Sequence, residues 1–365
     1  CIRDRIGASF TVRADLDLSG CHIAGISNYK SDLAEVRDCA IHLNHARISG
    51  RLLLSTTEVS RFEAGGSIKL DGARIDGNTE LHGACLTGGD QPALTARSAS
   101  FGGNVELLPA HGYRCEVHGE VCLGAARITG DLDCGGARLL NPEGRALHCE
   151  DLEVESVFLS NEGDIRLEVQ GRLNFLSATV GGGFFLQQVS MEPGPDYSGL
   201  LSRGGRVAAN LRQMRVSNAM MFNDITSPSA GDGPVEGWFL LGGARMSTLI
   251  DHSETGWPAA GFLDIDGATY DRIRHVNSGD LVSLRSDWLK RQYHGPVPTA
   301  EEFRPQPYEQ LTRALRNAGL AQEANAIAVE KIRTRLAARV EPPLQRLFPR
   351  LLMLVSHYGY STSRA

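Results

Sequence analysis

Aromatic residues make up only 6% of the 365-residue chain, too few for large rings to fill a wide core. Long apolar runs are also missing. Nothing reaches the ~18 consecutive apolar residues of a membrane-spanning helix, and the longest late run is only Leu351–Val355. The eight cysteines contain no CxxC pair, which removes the usual dithiol or zinc-knuckle spacing. HExxH, GxxxxGK[ST] and GxSxG are absent as well, and with them the local signatures of zincins, P-loops and nucleophile elbows. The one triple glycine, Gly181–Gly183, runs into Phe184-Phe185-Leu186. That is a strand pattern and not the helix a dinucleotide-binding turn requires. No catalytic, cofactor-binding or metal residue is assigned on these grounds, and no cofactor is expected.

What is present is glycine, 41 residues of it, among 42% apolar residues. This combination suits a thin aliphatic core with frequent turns. It is also periodic. Gly72-Ala73-Arg74-Ile75-Asp76-Gly77 recurs as Ala125-Ala126-Arg127-Ile128-Thr129-Gly130. Gly83-Ala84 with Gly136-Ala137, and Ala93-Leu94 with Ala146-Leu147, keep the same 53-residue offset. Half of that offset is the unit. Cys21, Ala46, Ala73, Ala99, Ala126, Leu152 and Ala178 follow at steps of 25 to 27, and Met214, Ala244 and Ala268 continue with longer or shorter steps. The long steps coincide with Gly/Pro/Ser-rich stretches at 191–200 and 226–237, which read as inserted loops.

Two residues past each anchor stands a large apolar residue: Ile23, Ile48, Ile75, Phe101, Ile128, Val154, Val180, Val216, Met246 and Tyr270. Further apolar series follow at Leu52, Thr79, Val105, Leu132, Phe184, Met220 and Ile250, and at Leu54, Leu81, Leu107, Cys134, Leu186 and Phe222. Within a unit these alternate with polar residues. Period two inside the unit and period ~26 between units predict an all-β parallel β-solenoid, or β-helix, of about ten coils. Ten coils at ~4.8 Å make a rod of roughly 50 Å, right-handed by default. Gly50, Gly77, Gly103, Gly130 and Gly182 share one slot, where a turn with positive φ would demand glycine.

From Ser278 the period becomes helical. Leu281, Leu284, Trp288 and Leu289 form one stripe, expected to cap the open end of the solenoid. Thr299 with Glu302 reads as a capping box. A helix with Tyr308, Leu311 and Leu315 follows Pro305 and Pro307 and stops at Gly319. A second, roughly 321–340, would bury Ala324, Ile327, Ala328, Ile332 and Leu336. The pair resembles one tetratricopeptide-like hairpin, expected to dock on the solenoid, with partner binding as the alternative. The organisation is thus a parallel β-solenoid over 1–277, a small α-helical cap and hairpin over 278–341, and an amphipathic tail over 342–365.

Charge divides along the same line. Residues 311–365 carry nine basic and three acidic residues, a net +6 against the chain's −6, which leaves −12 on residues 1–310. An acidic body argues against nucleic acid, and a basic tail suits an anionic membrane surface. Arg346, Phe348, Arg350, Tyr358 and Tyr360 surround the short apolar run and are expected to lie membrane-proximal, basic and aromatic groups being usual interface anchors. The alternative is an amphipathic helix packed on protein.

The unit Ser67–Leu86 resembles pentapeptide-repeat and related β-solenoid proteins. The whole pattern is similar to a bacterial group of GARI-type repeat proteins often labelled membrane-associated oxidoreductases. Their tail motif is matched by Pro305-Gln306-Pro307-Tyr308-Glu309-Gln310-Leu311, Leu315-Arg316, Gly319, Glu323-Ala324 and Ile327. The start at Cys1, with neither an initiator Met nor a signal-peptide pattern, reads as a trimmed N-terminus. The resemblance implies that a segment like Tyr358-Gly359-Tyr360 leads into transmembrane helices, so the sequence reads as ending just before the membrane.

Candidate chemistry is thin. Cys21 and Cys85 fall in alanine slots and Cys134 in a leucine slot, where cysteine acts as a small apolar filler. His42, His45, His111, His118 and His148 read as turn or surface residues, with His42 and His45 on opposite faces of a strand. Asp71, Glu80, Glu106 and Asp133 project outward near Arg47, Arg74, Arg127 and Arg245, as exposed charge ladders or, less simply, as the carboxylates of a carbohydrate-active enzyme. The function expected is a non-enzymatic scaffold or protein-interaction module at the cytoplasmic side of a bacterial membrane. Its protein partner is unspecified, homo-oligomerisation is open, and the membrane is met through the tail. The alternative is an enzyme on a β-helix, either oxidoreductase by the group's label or carbohydrate-active.

Overall fold

A computed structural model of the chain describes residues 10–24, 39–196, 205–252, 254–275 and 279–338. Its strands join in one 31-stranded sheet that winds as a parallel β-solenoid, followed by three helices. Each coil in the regular part has four short sides. Ser67–Lys69, Arg74–Ile75, Thr79–Glu80 and Cys85–Thr87 make one coil. They pair in parallel with residues 94–95, 100–101, 105–106 and 116–118 of the next. The sides are short because each points one or two apolar side chains inward before the chain turns. A single coil buries little, so neighbouring coils supply the core.

The apolar columns are those the periodicity predicts, with two departures. Ile48, Ile75, Phe101, Ile128, Val154, Val180, Val216, Met246 and Tyr270 stack in sequence, all buried. The first member is Val12, not Ile23. Ile23 lies over Ala64, in the column of Leu86, Val117 and Leu139 on another side. Likewise the partner of Met220 is Leu249, while Ile250 pairs with Met221 and turns outward, because a bulge after Val216 shifts the register.

Two turn devices hold the corners. One column of corner residues has φ between 53° and 80°: His45, Gly72, Ser98, Ala125, Asp151, Ser177, Gln213, Gly243 and Gly267. His45 is therefore at a corner and not within a strand. The glycines expected to need positive φ do not: none of Gly50, Gly77, Gly103, Gly130 and Gly182 has it. They are required by close approach between coils. A Cβ on Gly77 would sit 2.9 Å from the carbonyl carbon of Gly50, and one on Gly103 3.0 Å from that of Gly77.

The C-terminal helices are α1 (Leu281–Lys290), α2 (Gln306–Asn317) and α3 (Ala321–Ala337). The Asp280 side chain caps α1 by accepting from the Ser283 N–H at 2.8 Å. Thr299 and Glu302 bond reciprocally as a capping box, but only a turn follows. Gly319, at φ 79°, ends α2. α1 covers the end of the solenoid as expected, with Arg285 against Asp251 and Trp288 against Trp257, and α2 supplies hydrogen bonds to the open strand edge. Gln306 donates to the Ala268 carbonyl and accepts from the Gly267 N–H, and Gln310 donates to the Tyr270 carbonyl. Tyr308, Leu311, Ala314 and Leu315 are buried beneath. α3 buries Ala324, Ile327 and Ala328, with Ile332 and Leu336 half-buried.

Candidate functional site

Outward-facing columns are where a solenoid can act, since every inward slot is used for packing. Three of them carry distinct chemistry. The first alternates charge. Arg138 reaches Glu116 at 3.1 Å and Glu168 at 2.8 Å, and Arg61 reaches Glu116 at 3.2 Å. This is the opposite-charge ladder, on a side the sequence reading did not assign it to. Cys85 belongs here, between Glu63 and Glu116, and not in an alanine slot. Arg74 and Arg127 pair with Asp76 and Glu153 instead, at 2.9 and 2.7 Å.

The second column changes character along the rod. Glu80, Glu106 and Asp133 occupy three successive coils in register. The next four residues in the column are Phe158, Phe185, Met221 and Ile250. All four are half-buried, and their inward neighbours in the strands are buried. The Phe158 and Phe185 rings stack, centroids 5.1 Å apart and 9° from parallel. In the acidic part His82 meets Glu106 at 3.0 Å. Burial pushes the Asp133 carboxyl above its ordinary value, helped by Glu162, Glu106 and Asp131 and opposed by the Gly135 N–H.

The third gathers a cysteine, a histidine, two carboxylates and an arginine. Cys122 and His148 are partners on adjacent coils. The Cys122 Sγ lies 3.5 Å from His148 Nδ1, which is 3.0 Å from Glu120 Oε1. His148 Nε2 is 3.3 Å from Glu150 Oε2, and Arg145 is 3.2 Å from Glu120. Cys122 is fully buried although it faces outward, because the surrounding side chains cover it. Burial acts to raise the Cys122 thiol, but the His148 hydrogen bond, the Gly124 backbone and the charges of His148 and Arg97 together outweigh it and leave the thiol below its ordinary value. Burial acts to lower His148, yet its bonds to Cys122 and Glu120 push it up to about 9. His148 is therefore no stray turn residue. Cys115, Cys134 and Cys149, by contrast, face the core and burial pushes their thiols far up.

The two inserted loops meet. Ser227 and Ser229 donate to the Glu192 carboxylate through both hydroxyls, and the Ser229 N–H donates at 2.7 Å. The Glu192 carboxylate at that junction is thus already hydrogen-bonded. At the capped end Asp251 and Arg285 form a fully buried bidentate pair at 2.8 Å, with Trp257 Nε1 donating to the same carboxylate at 2.6 Å. Arg346, Phe348, Arg350, Tyr358 and Tyr360 lie outside the described residues. No helix among the described residues is long and apolar enough to cross a membrane.

The molecule is thus a capped parallel β-solenoid with differentiated outer faces. Comparison with known proteins returns no matching family model, no curated protein and no solved structure.

Proposed function

We propose that the chain is a non-enzymatic protein-interaction module, held at the cytoplasmic face of a bacterial membrane. Its contact face is the column running from Glu80, Glu106 and Asp133 into Phe158, Phe185, Met221 and Ile250. The observation that carries this reading is the change from acid to apolar within one in-register column. Four apolar side chains on consecutive coils form a strip that folding leaves partly uncovered, and apolar patches at the surface mark interaction sites. The acidic rungs beside it select a partner with an apolar stripe flanked by Lys or Arg, and they steer its approach. Membrane placement draws on the basic, aromatic-anchored tail and on the resemblance of the Pro305–Leu311 motif to membrane-associated repeat proteins. A carbohydrate-active site would need several carboxylates facing one cleft. Glu192, where the loops meet, is held by two serines instead.

A photo-crosslinking residue placed at Phe185 in cells, with one at Thr179 as control, tests the face. A discrete adduct at 185 alone, lost with Phe158→Ser, supports the reading. Equal adducts at both positions would sink it. Liposome co-sedimentation of the chain with and without residues 342–365 tests the tail, and equal binding removes the membrane placement.

A further inference from the structure

We propose that Cys122, His148 and Glu120 form a binding site for a thiophilic divalent transition-metal ion, zinc above all. Cys122 and His148 stand 26 residues apart and occupy one slot on adjacent coils, so the solenoid register itself brings them together. Their donor atoms and a Glu120 oxygen all lie within 4.8 Å of one another. The measured separations are 3.5 Å for Sγ to Nδ1 and 3.0 Å for Nδ1 to Oε1. A tetrahedral zinc with bonds of about 2.3 Å to sulfur and about 2.0 to 2.2 Å to nitrogen and oxygen sets its donors roughly 3.3 to 3.6 Å apart. The Sγ–Nδ1 side already has that length, and the Nδ1–Oε1 side is slightly shorter.

Glu150 approaches His148 Nε2 at 3.3 Å, which favours a proton on that nitrogen and leaves Nδ1 turned toward Cys122 Sγ and Glu120 Oε1. In the metal-free cluster a single proton is shared among these three atoms, and a cation in its place meets all three donors at once. A carboxylate on the remote ring nitrogen is also the usual partner of a metal-bound histidine. The thiolate selects zinc, cobalt or copper over magnesium and calcium. Binding replaces the single proton that the Cys122 Sγ–His148 Nδ1 pair shares, freeing both as ligands, and that proton leaves to solvent. A similar group, Cys85, Glu116 and His118, is less suited because Arg61 and Arg138 both grip Glu116. At Glu120 only Arg145 competes, at 3.2 Å.

Cobalt titration of the metal-free full chain tests the site. One equivalent of Co²⁺ is expected to produce a thiolate-to-cobalt charge-transfer absorption that Zn²⁺ abolishes. Cys122→Ser and His148→Ala should each lose that band, and Cys85→Ser should keep it. Because Cys122 is buried, the near-isosteric Glu120→Gln provides a second arm. It should fold normally by circular dichroism and bind cobalt at least ~10-fold more weakly, the scale of loss even for an outer-shell partner. No band in the folded wild-type chain, an unchanged band in Cys122→Ser, or unchanged affinity in Glu120→Gln would overturn the proposal and leave a simple Cys–His–Glu ion-pair cluster.

Discussion

The middle of the rod and its C-terminal end solve the same packing problem with different side chains. From Glu63 to Asp133 the coils turn through strands of two or three residues, and the core is almost wholly Ile, Leu, Val and Ala, with Phe62 and Phe101 as its rings. From Arg138 onward strands lengthen to 11, 8, 9 and 12 residues. The core there becomes aromatic: Phe222 lies 6.5 Å from Phe184, 6.3 Å from Phe239 and 4.7 Å from Trp257, and Trp257 lies 5.6 Å from Trp288. A repeat can pass its exposed edge to the next coil, but the last coil cannot. The end is therefore closed by large rings, a buried ion pair and a helix whose glutamines satisfy the final strand.

That contrast can be broken from the end first. Arg285→Ala leaves Asp251 charged and buried, a loss of about 3–5 kcal/mol. Hydrogen exchange should show the damage confined to the helices and last coils, with strands around Phe101 still protected, as nearest-neighbour coupling implies. Loss of protection along the whole rod would contradict a quasi-one-dimensional array. Ile128→Ala, in the aliphatic stack, should cost about 2–5 kcal/mol in denaturant unfolding, through lost burial and a cavity. Gly103→Ala should cost about 1–3 kcal/mol by overpacking against the neighbouring turn, whereas the same change at Gly89, where a Cβ meets nothing within 4 Å, is limited to its positive φ.

The smallest effect concerns the acidic rungs. The raised Asp133 carboxyl means the folded chain binds its proton more readily than the unfolded chain. Wild-type folding is therefore penalised above the folded pKa, and the penalty fades as pH falls toward the ordinary value of 3.8. Asp133→Asn should raise Tm slightly at pH 7 and lose that gain near pH 3.8. A gain persisting at low pH would mean that it has a cause other than charge.

Much of this was legible in the residues. The Ile48–Tyr270 column and the helical stripes follow from spacing alone. The first coil did not, because small-x-large triplets occur on more than one side, and Cys21-His22-Ile23 satisfies the pattern on the wrong one. The Gly50–Gly182 column was found at the right place for the wrong cause, since sequence cannot separate a positive φ from a close approach. Cys122 and His148 escaped local motif searches because their proximity is set by the coil period and not by a short spacing. Comparing same-slot residues across one coil would have paired them. The acidic-to-apolar switch needed coordinates, because a one-residue slip near Val157 and another after Val216 move residues between faces.

In-register stacking has one further consequence. Equivalent outward positions recur every ~4.8 Å from coil to coil, so the molecule works as a ruler whose graduations are coils. A ligand able to bridge two graduations can be matched or mismatched in length by adding or deleting a single coil, with the chemistry of each mark left untouched.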